Sequence, residues 1–95
     1  MAPIKRLVAD VLKPYDLESV DLARRVATID GVDGANLTLV ESDRSTQNVK
    51  LTLEGDGIEF ETVDETITEL GGTIHSVDQV VCGNRLVEDV PTPQD

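Results

Sequence analysis

The chain has 95 residues, and its eight Lys+Arg against nineteen Asp+Glu give a formal net charge of −11. That length supports one domain, and no apolar run approaches the roughly 20 residues of a membrane span. The charge opposes nucleic-acid binding through a general basic surface, because the chain repels phosphate, and a single cysteine, Cys82, excludes both an intramolecular disulfide and a multi-thiolate metal site.

Met1-Ala2-Pro3 leads into Ile4-Lys5-Arg6-Leu7 with no apolar signal segment or cleavage site, so the expected location is the cytoplasm. Residues 4–12 read as a first strand. Leu7, Ala9 and Val11 alternate on one face; Arg6, Val8, Asp10 and Leu12 lie on the other. Pro14 stops it. Asp16 is the expected N-cap of a helix over 17–29, with Leu22, Val26 and Ile29 as its apolar stripe, Ala23 and Ala27 beside it, and Gly31 as its stop. A second strand runs over 35–42, with Ala35, Leu37 and Leu39 on one face and Asn36, Thr38 and Val40 on the other. Ser42-Asp43-Arg44-Ser45 makes a polar turn into a third strand, 47–54, whose Val49, Leu51 and Leu53 point inward. Gly55-Asp56-Gly57 breaks that strand. A second helix over 58–70 carries Phe60, Val63, Ile67 and Leu70 at helical spacing, and Glu59, Glu61, Asp64 and Glu65 load its first half, where the helix dipole favours negative charge. Gly71-Gly72 ends it, and 73–81 is a fourth strand. Residues 84–95, with Pro91 and Pro93, are expected to form a flexible acidic tail after a domain spanning 1–83.

The order βαββαβ is the split βαβ, or ferredoxin-like, pattern of an α+β domain. Right-handed crossovers give a four-stranded antiparallel sheet in the order 4-1-3-2, with both helices on one face. The other face stays uncovered. Alternation places Val8, Leu12 and Val40 there, with Val77 or Val80 according to the register of strand four. Apolar residues on an open face point to a partner surface, and a small domain with a thin core gains stability by assembling. Homo-oligomerisation is therefore expected. The acidity has its own reading: Asp outnumbers Glu, Arg outnumbers Lys, and Phe60 and Tyr15 are the only aromatics. Self-repulsion of such a charge is relieved by salt, which points to a salt-rich cytoplasm.

Chemistry-bearing patterns are sparse. There is no phosphate-binding glycine loop and no nucleophile elbow. His75 and Cys82 are seven residues apart, about 23 Å along an extended strand, too far for a dyad. No thiol pair sits in the loop Lys13-Pro14-Tyr15-Asp16, where soft-metal carriers of this fold hold theirs. The expectation is a protein that is not an enzyme. Topology brings His75 towards Asp10, with Lys50 on the neighbouring strand. The bland interpretation is an ordinary His–Asp or Lys–Asp pair. The chemical one is a site of Asp10, His75 and Asp78, extended by Glu41 and Asp43, for a divalent cation or small ligand; carboxylates suit Ca²⁺ or Mg²⁺ and histidine a transition metal.

Three segments, Arg6 to Pro14, Gly31-Val32-Asp33-Gly34 and Gly71 to Asp78, resemble an archaeal family known only as domain of unknown function 211. The resemblance spans residues 3–83. It implies a ferredoxin-like fold and small homo-oligomeric proteins, ring-shaped assemblies among them, and it carries no activity. Asp10, Lys13, His75, Ser76 and Asp78 match its motifs without an implied role. A haloarchaeal member would fit both this resemblance and the charge.

Overall fold

A computed structural model of the chain describes residues 1–88. Six elements follow in the order β1 (Ile4–Pro14), α1 (Ser19–Ala27), β2 (Val32–Ser42), β3 (Thr46–Gly55), α2 (Phe60–Glu69) and β4 (Thr73–Cys82). The sheet order is β2-β3-β1-β4 and every neighbouring pair is antiparallel, so the expected ferredoxin-like arrangement holds. Residues directly opposite in an antiparallel pair project from the same face. Leu7, Ala9 and Val11 of β1 stand opposite Leu53, Leu51 and Val49 of β3, and all six are buried with Leu22 and Val26 of α1 and Val63 and Ile67 of α2. This is the core, and it is built almost wholly from aliphatic side chains.

The termini of the elements differ from the sequence expectation where backbone bonding overrides composition. The first helix begins at Ser19 with Glu18 at the cap, not Asp16, because the Leu17 amide donates to the Pro14 carbonyl and keeps the chain in a turn until then. The second strand begins at Val32, directly after Gly31, whose φ of +89° is the left-handed geometry glycine tolerates. Phe60, expected in the core, opens the second helix at the surface; Ile58, just ahead of it, is buried in its stead, tied by its amide to the Ile4 carbonyl.

Strand β4 carries the largest departure. Its register against β1 shifts at three places: His75 and Asp78 are each an extra residue of β4 without an opposite number, and Lys5 is the extra residue of β1. Ile74, Val77 and Val80 thereby stand opposite Val11, Ala9 and Leu7, on the helix side, while Ser76 and Gln79 stand opposite Asp10 and Val8 on the open side. Against β3, β2 has irregularities between Val32 and Gly34 and between Leu39 and Glu41, the latter leaving Val40 as an extra residue. The molecule is a plate of 41 × 38 × 17 Å, with one sheet and one helix layer. No described helix is long and apolar enough to cross a membrane.

Candidate functional site

The open face of the sheet is where the candidate site residues were expected to meet, and its composition is polar. Arg6, Val8 and Asp10 of β1 lie beside Asn48, Lys50, Thr52 and Glu54 of β3, with Asn36 and Thr38 beyond them on β2. Val8, an expected interface residue, is 9% exposed within the single chain. It lies in a hollow walled by the long side chains of Arg6, Lys50, Gln79 and Glu88. Leu12 is half-buried. Val77 is on the other face altogether, moved there by the two bulges. Four large exposed apolar side chains lie on the two edge strands, Leu39 (51%) and Val40 (64%) on β2 and Val77 (42%) and Val80 (48%) on β4; others, among them Tyr15, Val20, Leu86 and Val87, lie outside the sheet.

A hollow of about 460 Å³ on the open face is lined by Asp10, Val40, Glu41, Asn48, Lys50, Ser76 and Asp78. Three of the five proposed ligands therefore share one depression. His75 is not in its lining, because the residue facing Asp10 is Ser76. Asp43 turns away as well, accepting the Arg44 amide at 2.7 Å. Asp10 accepts both its contacts from the Asn48 side-chain amide, at 3.3 and 3.4 Å, and Asp78 accepts the Ser76 hydroxyl at 2.9 Å. Among the described residues no three His, Cys, Asp or Glu side chains converge closely enough to hold a metal ion. Lys50 lines the same hollow and makes no ion pair among the described residues. Cys82 is exposed at the end of β4.

The family described as DUF211, uncharacterized ArCR, matches residues 5–95. An uncharacterized protein of Methanocaldococcus jannaschii, MJ0319, is 45% identical over 95 residues, covering all of this chain and 98% of that protein. The chain belongs to the DUF211 family.

Two polar residues of this DUF211 chain have environments that sequence reasoning did not assign. Lys13 continues the inward row of Leu7, Ala9 and Val11 and is 1% exposed. Its ammonium donates to the carbonyls of Leu17 and Pro14 and to the Gln47 side-chain oxygen, so it pins the turn before α1 to β3. The alternation that places Leu7 inward also places Lys13 inward, and that was the available signal. Arg6 is the centre of a charged cluster at the opposite end of β1. Its Nε donates to Glu54 at 2.8 Å, and its terminal nitrogens donate to the Glu88 carboxylate at 2.9 and 3.3 Å and to Gln79 at 3.4 Å. These contacts raise the Arg6 pKa, the Glu88 hydrogen bond foremost, and lower that of Glu88. Glu88 lies in the segment expected to be a flexible tail; residues 89–95 of that tail lie outside the described residues.

Proposed function

We propose that this DUF211 protein is a non-enzymatic, cytoplasmic building block that assembles with copies of itself through the two edges of its sheet. The observation that carries the reading is that the large exposed apolar side chains of the sheet, Leu39, Val40, Val77 and Val80, all lie on its two edge strands. Among the described residues each of these strands has a sheet neighbour on one side only, and a free strand edge is the usual template for strand addition. Direction fits. β2 and β4 run antiparallel to one another, since β1 opposes both β3 and β4 and β3 opposes β2. The β4 edge of one copy laid against the β2 edge of the next continues the antiparallel ladder and keeps all helices on one side. Such a head-to-tail contact closes into a ring when the rotation permits. Face-to-face stacking of open sheets is a poorer arrangement. It would set Asp10, Glu41, Glu54 and Asp78 of one copy against the same carboxylates of the other, with Arg6 and Lys50 as the balancing cations.

The charge of −11 supports a salt-rich setting for such an assembly, because many like-charged copies associate only where their repulsion is screened. Sedimentation equilibrium in molar KCl tests the reading with Leu39→Lys and Val77→Lys, one on each edge. Each is expected to weaken association by at least about tenfold, the equivalent of 1.4 kcal/mol. Lys50→Gln, in the middle of the open face, is expected to leave it unchanged. The opposite pattern, with only the Lys50 variant affected, would move the interface to the open face.

A second reading, a divalent-cation or small-ligand site, rests on Asp10, Asp78 and Glu41 sharing one hollow. The Lys50 ammonium in the same lining opposes a cation there. Calorimetry with Ca²⁺, Mg²⁺, Mn²⁺ and Zn²⁺ on the native chain and Asp10→Ala decides it: binding heat lost in the variant supports the site, and identical isotherms remove it.

A further inference from the structure

The chain turns back after β4. Gly83, at φ +119°, makes the reversal, and its amide donates to the Pro3 carbonyl at 2.9 Å. Five residues later the Glu88 carboxylate reaches Arg6 on the open face. Between these two points the segment passes along the end of β4: Val87 and Glu88 line one hollow together with Asp78–Cys82. Val81 stands opposite Arg6, on the side no helix covers, yet is only 7% exposed. The returning segment lies across the same hollow from Val81.

We propose that Asn84–Glu88 is a releasable strap that guards the C-terminal half of the β4 edge, so that its clasp, Glu88 on Arg6, opposes docking of a second copy. The inference rests on the self-assembly reading above and adds a regulator to it. Two features make the strap releasable. The Glu88 side chain is 71% exposed, so water and salt compete directly for the clasp. Arg6 has Glu54 at 2.8 Å as a second partner, so opening strands no unpaired charge on it, the outcome that makes a buried ion pair costly to break. Closed, the strap lies beside the end of β4 that a neighbour's β2 would approach; open, it leaves Val81 to that neighbour alongside the already exposed Val80. Because closed and docked states exclude one another, the apparent affinity of one copy for the next is reduced by the closed fraction.

The test uses the full-length chain with Glu88→Gln and Glu88→Lys, and Glu65→Lys on the exposed face of α2 as a control for the change in net charge. Methyl NMR of Val81 reports the strap at concentrations too low for association, and sedimentation velocity reports association at one fixed salt concentration. In Glu88→Lys the Val81 signals are expected to shift and association to tighten by roughly threefold relative to Glu65→Lys, the scale of an exposed ion pair. Glu88→Gln is expected to fall between Glu88→Lys and the native chain. Unmoved Val81 signals would overturn the strap. Shifted Val81 signals with association no tighter than the control would overturn its guarding role. No association by any chain at any salt concentration would overturn the assembly reading itself.

Discussion

Lys13 is buried, and its ammonium is satisfied by neutral oxygens. A buried charge without a carboxylate is tolerable when its protons are accepted, and here the acceptors are also the reason for the residue. The Leu17 carbonyl belongs to the turn that delivers the chain to α1, and the Gln47 amide belongs to β3 directly opposite Lys13. Lys13→Met keeps an unbranched stem of similar reach and removes the donors. It is expected to cost about 2–3 kcal/mol in urea unfolding, the scale of leaving buried acceptors unsatisfied; stability equal to the native chain would show that the ammonium does not hold the turn. Glu88 offers a second residue-level test. Hydrogen bonds from the Arg6 guanidinium, reinforced by its charge, keep the Glu88 carboxyl below its ordinary value. A group depressed in the folded state contributes stability above its unfolded pKa, near about 4.3 for glutamate, and loses that contribution as pH falls through the lower folded value. Side-chain carboxyl NMR is expected to place the Glu88 midpoint below that of free glutamate; a midpoint at or above it would contradict the clasp.

Among the elements, the crossing of the β2 start over the end of β3 is the tightest approach at any glycine of the chain. A Cβ on Gly55 would lie 1.8 Å from the Gly31 carbonyl oxygen, and one on Gly31 would lie 2.5 Å from that of Gly57. The Asp56 amide bonds the same Gly31 oxygen at 2.8 Å. Gly55→Ala must therefore push two backbones apart and is expected to cost at least about 3 kcal/mol. Gly34→Ala, three residues along β2 from Gly31 with nothing within 4 Å, is expected to stay within about 0.5 kcal/mol. Thermal melts of the two variants check this, and a Gly55 variant as stable as the Gly34 variant would refute the packing argument. The same scale shows what the sequence made legible. Strict alternation in Leu7-Val8-Ala9-Asp10-Val11 and Val49-Lys50-Leu51-Thr52-Leu53 sufficed to orient β1 and β3, because both are central and feel both faces. Strand β4 is an edge with one neighbour, and its bulges at His75 and Asp78 obey hydrogen bonding that no side-chain pattern encodes. Those bulges turned Val77 to the helix side and put Ser76, not His75, beside Asp10, so the candidate cation set separated at the strand whose alternation was least clean.

For the whole molecule, the distribution of charge and apolar surface favours the edges over the open face as the contact between copies. The fold followed from the order of elements and the polarity of two central strands; the proposed contact between copies did not, because that proposal depends on edge register and on a C-terminal segment that doubles back to Arg6. Screening of the net charge also predicts that the thermal midpoint rises between 0.1 and about 3 M KCl, where the Debye length shrinks from about 10 Å to under 3 Å; a midpoint independent of salt would detach the acidity from stability. The most direct measurement is the solution mass of the full chain in molar KCl at tens of micromolar. Edge-to-edge assembly predicts a multiple of the 10.3 kDa chain mass that collapses to one chain in Val77→Lys, whereas a 10.3 kDa species throughout would contradict it.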